Sequence, residues 1–152
     1  MNRSTRVLLP LLGGLALSHP TLGRAELPPW VYGQEQRQAP YVLELLVRSV
    51  HSTGSAAQQR RLDVRAQVLE VKRQPPGSRL RPGNLITLVY ELPPPRPAGW
   101  VGPSVLSAVE PGEQLPAWLA PDPSGRGVYA PAAGGRSFGP SFEGVVEPGR
   151  EG

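Results

Sequence analysis

Between Arg60 and Arg81 the chain carries seven cations (Arg60, Arg61, Arg65, Lys72, Arg73, Arg79 and Arg81) against two acids, Asp63 and Glu70. Guanidinium and ammonium groups at that density are the chemistry of anion binding. They would hold phosphate, sulfate or carboxylate groups on a polymer or an acidic partner. The competing reading makes them solvated outer positions of a strand, alternating with core residues, and Arg65 fits that pattern well. Tyr41 and Tyr90 would add base stacking if they pointed outward.

A second stretch, "YAPAAGGRSFGP" from Tyr129 to Pro140, sets two glycines beside a cation and a hydroxyl. A phosphate loop needs glycine-rich backbone leading into a helix N-terminus. Gly139-Pro140 ends any such run, so the segment is expected to be a corner where the chain passes tightly and Phe138 plugs the end of a barrel. Arg136 is then a solvated charge.

Other chemistry is poorly supplied. Beyond the N-terminal leader, His51 is the one histidine, and the chain has no cysteine. Disulfides, thiolate metal sites and cysteine nucleophiles are thereby excluded, and a single His with scattered acids makes no zinc site. No cofactor is implied. A hydrolase would have to use His51 with Asp63 or Asp122 and a serine, and no serine lies in a nucleophile-elbow motif. Glu110 and Glu113 flank a Pro-Gly turn and are expected to face solvent.

These residues need elements to position them. Pro and Gly together make up 38 of 152 residues, so short strands with long connections are favoured over helices. "YVLELLVRSVH" (41–51) alternates with Tyr41, Leu43, Leu45 and Val47 on one face. "RLDVRAQVLEVKR" (61–73) alternates through Val64, Ala66 and Val68, then slips phase at Leu69, as a β-bulge would. Pro82-Gly83 is a type II turn leading to a strand with Ile86, Leu88, Tyr90 and Leu92 inward. Pro111-Gly112 repeats the device before a short strand, Leu115 to Ala120. Pro116 places that strand on an edge. A last strand spans Val128 to Ala130, and "PPPRPAGWVGPS" (93–104) is a stiff crossover in extended polyproline form.

The N-terminus has Arg3 and Arg6 ahead of an apolar stretch of 11 residues, Val7 to Leu17, then "GRA" at 23–25. This is the pattern of a secretory signal peptide with cleavage between Ala25 and Glu26. The apolar run is shorter than the roughly 20 residues of a membrane span, so no stable span remains after cleavage. Loss of Arg3, Arg6 and Arg24 leaves 13 basic residues against 12 acids, a net charge of +1. No global field for nucleic acid or membrane follows. The expected location is secreted or periplasmic, and a cysteine-free exported domain suits a bacterial envelope.

The bent strand "VRAQVLEV", then "LRPGNLITLVYEL", "GP", "PGEQLPAWLA" and "YAPAAGGRSF", in that order, resembles netrin-like OB-fold domains. The tissue inhibitors of metalloproteinases belong to that structural group, and small exported bacterial proteins, cyanobacterial ones included, look similar. The resemblance covers roughly Pro40 to Phe138. It implies an all-β, five-stranded OB-like barrel with long Pro/Gly loops and disordered termini. The inhibitors rely on an N-terminal cysteine that chelates zinc; Glu26 stands here instead, so that activity is not implied. The expected organisation is a leader (1–25), a linker (26–39), the barrel (40–138) and a disordered tail (139–152). The expected function is non-catalytic binding or envelope assembly, with an unknown envelope protein or an anionic polymer as partner. The alternatives are an anionic-polymer binder using the Arg60–Arg81 cluster, nucleic acid being the less favoured polymer, and a small envelope hydrolase.

Overall fold

A computed structural model describes residues 25–55 and 57–149. The proposed leader, apart from Ala25, lies outside the described residues. The elements in chain order are α1 (Pro29–Gln38), β1 (Tyr41–Gly54), β2 (Arg60–Arg73), β3 (Leu85–Leu92), β4 (Gln114–Pro121), β5 (Val128–Pro131) and a 3-10 turn, Gly134–Arg136. The strands close into a barrel in the order β1-β2-β3-β5-β4, with β4 pairing back onto β1. All neighbours are antiparallel except β3 and β5, which run parallel through Thr87↔Val128 and Leu88↔Tyr129. This is a five-stranded, all-β barrel of the OB-like kind.

Alternation builds the core. Leu43, Leu45 and Val47 of β1, Leu62, Val64, Ala66 and Val68 of β2, and Ile86, Leu88, Tyr90 and Leu92 of β3 are all buried. Leu115, Ala117 and Leu119 complete the interior from β4. The phase slip in β2 is real. Pairing passes from Glu44↔Glu70 to Leu45↔Val68, so Leu69 has no partner on β1 and the next core contact comes from Val71. A matching surplus residue, Arg48, sits in β1. Such bulges bend long strands enough for five of them to close.

Three expectations are corrected. β4 is not an edge strand, because it pairs with both β1 and β5. Trp118 donates its N–H to Ser137 O and accepts from Ala132 N–H, on the side away from β1. Pro116, two residues earlier, turns its missing N–H to that same side, beyond the Leu119–Pro121 stretch that β5 covers.

The linker is instead a helix. Pro29 opens α1 at a position where its missing N–H costs nothing. The helix stops at Ala39, which is extended before Pro40 as a pre-proline residue must be. Its buried face is Tyr32, Gly33 and Gln36. A Cβ on Gly33 would collide with the carbonyl oxygen of Phe142. A helix that packs through glycine and glutamine has no apolar periodicity to betray it.

The expected disordered tail is also ordered in its described part. Phe142 and Glu143 are half-buried, and the segment from Arg136 to Val145 lies along α1. Gln36, fully buried, donates to the carbonyls of Arg136 (2.9 Å) and Pro140 (3.2 Å) and accepts from Phe142 N–H (2.6 Å). Arg37 donates to the carbonyls of Glu143 (2.6 Å) and Val145 (3.2 Å). One glutamine thus satisfies three backbone groups of a stretch that forms no sheet, which is what buried backbone requires. We call this joint between the two ends of the domain the latch.

Candidate functional site

The seven cations do not share a face. They span the whole of β2 and the loop after it, at about 3.3 Å of rise per strand residue. Arg61 pairs with Asp63 at 3.2 Å, both near solvent. Lys72 pairs across the strand with Glu44 at 3.2 Å. Arg73 donates to the carbonyls of Gln36 (2.6 Å) and Ala39 (2.9 and 3.0 Å) and pairs with Glu143 at 3.0 Å. Arg65 is exposed between Ser49 and Thr87, as expected of an outer position. Arg79 and Arg81 are exposed on the β2–β3 loop, and Arg60 lies at the far end of β2.

Tyr41 and Tyr90 point inward. Tyr41 meets Tyr129 edge-on with centroids 5.0 Å apart, and Tyr90 lies 5.5 Å from Phe138. Neither offers a stacking surface. Burial, outweighing the hydrogen bond from Val109 N–H, pushes the Tyr90 phenol up to about 12. Its hydroxyl donates to Ser107 O at 3.0 Å and ties the β3–β4 connection to the barrel.

His51 is exposed and faces Asp63 across the β1–β2 ladder. The Asp63 carboxylate accepts from Arg61 rather than from the imidazole. Glu113 accepts from the N–H of Glu110 at 3.0 Å, as a turn residue does. Among the described residues no group of three or more His, Asp or Glu side chains is placed to hold a metal ion.

The structure does bring Lys72 and Arg73 together with residues that the sequence did not single out. A cavity of about 310 Å³ lies on the outer wall where β1, β2 and β4 meet the latch. Val42, Pro116 and Trp118 supply its apolar surface, and Lys72, Arg73, Ser141 and Glu143 its polar rim. Trp118 packs with Ala39, Val42 and Ala133 outside the barrel and donates its indole N–H to Glu143 at 2.9 Å. Burial works to raise the Glu143 carboxyl, but the Trp118 and Arg73 donors and the charges of Arg73 and Arg37 outweigh it and hold it below its ordinary value. Glu143 and Arg73 are therefore a fixed, charge-assisted pair. Lys72, 43% exposed at its side chain, is the more solvent-accessible cation of the rim and pairs with Glu44. One sequence signal pointed here. Leu115, Ala117 and Leu119 face inward, so Trp118 must face out, and an outward tryptophan on a barrel strand needs a cover.

The closing loop matches its expectation in part. Gly134 has a positive φ of 50°, and a Cβ on Gly135 would collide with the Ser104 carbonyl, so the backbone does pass tightly. Phe138 packs on the core but is only half-buried. Arg136 is no solvated charge. Its guanidinium lies 5.5 Å from the Tyr32 ring centroid and 5.2 Å from that of Phe142, with a buried Nε that has no hydrogen-bond partner among the described residues. Beside it, Glu26 accepts from Tyr32 OH (2.7 Å) and Ser104 OH (2.8 Å), and these bonds lower its carboxyl pKa. Compared with known proteins, the chain matches no family model, no curated protein and no solved structure.

Proposed function

We propose that this chain is an exported, non-catalytic binding module of the cell envelope, and that its ligand site is the groove under the latch. The observation that carries this reading is the composition of the 310 Å³ cavity, an apolar floor of Val42, Pro116 and Trp118 beneath a rim of charge. The occupant that fits is an extended segment bearing a carboxylate. Its apolar part lies over Val42 and Pro116, and its acid displaces Glu44 from Lys72. An exposed ion pair of that kind is worth about 0–1 kcal/mol, so exchanging it is cheap. Arg73 and Glu143 are committed to the latch and shape the wall. Dispersal of the other cations favours this groove over a track for an anionic polymer. The order of strand and turn motifs supports a netrin-like relation for the barrel, without the cysteine chemistry of the inhibitors.

The test is capture from the organism's own envelope with tagged protein. A partner retained by the unaltered protein should be lost at least tenfold on Lys72→Glu and kept on Arg65→Glu. Its acidic segment alone, as a synthetic peptide, should bind with the same dependence on Lys72. Retention indifferent to Lys72 overturns the groove assignment.

A further inference from the structure

The connection from β3 to β4 carries a feature that the groove does not use. From Leu92 to Val109 the sequence has one charged residue, Arg96, and no acid. The half of the connection that leads into β4 is anchored. Tyr90 OH holds Ser107 and Val109, and Glu26 with Tyr32 holds Ser104. Between the end of β3 at Leu92 and Ser104, every residue from 93 to 101 is exposed. Trp100 is 48% exposed, Val101 71% and Val105 40%, three of the six large apolar side chains exposed among the described residues. The Arg96 guanidinium lies 4.3 Å from the Trp100 ring centroid. A Cβ on Gly102 would collide with that ring, so the loop backbone itself sets the indole's position. Arg60, Arg96 and the run Pro93–Pro95 border a shallow cavity of about 370 Å³ beside the tip.

We propose that this loop seats the protein on an anionic bilayer surface. An indole with one apolar and one polar edge favours the headgroup layer. Val101 and Val105 add apolar contact at the acyl boundary. Arg96 and Arg60 meet lipid phosphates, and no acid in the loop opposes them. A protein partner would more often be met by a flat, well-packed patch than by nine consecutive exposed residues, five of them Pro or Gly. The contact is weak and reversible, since one aromatic and two cations fall short of a stable anchor.

The chain from Glu26 onward carries the barrel, the latch and the loop, and is the material to use. Vesicles of phosphatidylglycerol mixed with phosphatidylcholine are compared with vesicles of phosphatidylcholine alone, by co-sedimentation and by quenching of tryptophan with brominated lipid. Binding is expected to the anionic vesicles and to fall about fivefold on Arg96→Gln, the weight of one surface cation. Trp100→Ala should abolish the quenching, while Arg65→Gln, at an exposed outer position of β2, leaves binding unchanged. Thermal melts show whether each variant is folded; these are exposed sites and their melts should match the parent. Equal binding to both vesicle types, binding to neither, or quenching that survives Trp100→Ala overturns the proposal. Self-association lost on Trp100→Ala, with no lipid dependence, would overturn it in favour of a second copy of the chain.

Discussion

Arg73 sits in a run of cations, yet its Nε and Nη2 are directed at two carbonyls at the end of α1 and at Glu143. Its role could not be read from the run, because both carbonyls come from a segment with no visible periodicity and the carboxylate from a stretch that looked like tail. Asp63, by contrast, lies two residues from Arg61 on the same strand, where alternation sets both on one face, and Glu44 reaches Lys72 diagonally from its ladder partner Glu70. The pairing of Glu143 has a pH signature. Its pKa is held below the ordinary 4.5, so the unfolded chain binds more protons in that range and stability rises with pH there. The contribution is complete above about pH 5 and is lost as pH falls through the lowered value. Melting temperature should therefore drop on acidification to about pH 3, and Glu143→Gln should flatten that part of the curve. A slope unchanged by the substitution would remove Glu143 from the latch.

At the scale of elements, the strands were legible because their inward residues recur every second position, most cleanly in β2, where alternation itself changes phase at Leu69. α1 was not, because Gly33 and Gln36 occupy the positions where apolar residues would mark a helix. The order β1-β2-β3-β5-β4 was not legible, since closure depends on which strands meet and not on any one strand's pattern. Leu88 is fully buried on β3, and Leu88→Ala should cost about 2–5 kcal/mol in denaturant melts. Phe138→Ala should cost less than the about 3–5 kcal/mol of a fully buried phenylalanine, because half its surface work is already done by solvent exposure. In the closing loop, Gly135→Ala drives a methyl into the Ser104 carbonyl and should cost about 1–3 kcal/mol as overpacking does. Gly134→Ala meets only the far end of the Glu35 side chain but places a side chain at a φ of +50°, which costs about 1 kcal/mol, less than a methyl driven into backbone, so reversed ranks would mean that the 134–136 turn is differently placed.

For the whole molecule, both ends converge on one edge of the barrel, where Glu26, Tyr32, Ser104 and Arg136 are neighbours. Export should leave Glu26 as the first residue, and it is also the first side chain tied into the fold. Expressed with its own leader, the protein should be recovered outside the cytoplasm lacking Met1 to Ala25, and mass spectrometry that finds Met1 on exported protein would reject that site. A bulky residue in place of Ala25 should block processing.

The latch also bears on timing. Gln36 is joined to Phe142 across 106 positions, and β5, the last strand, must reach both β3 and β4 before the wall is continuous. At about 5–20 residues per second of synthesis, the hairpins of β1, β2 and β3 exist for seconds before residues 128–145 emerge. In that interval the sheet is open, and α1 lacks the strand of backbone it packs against. The native state is out of reach of a chain still held at its C-terminal end. On the export reading proposed above, a translocation apparatus that engaged residues 1–25 early would meet a threadable polypeptide, and the domain would lock on the far side once residues 128–145 had followed.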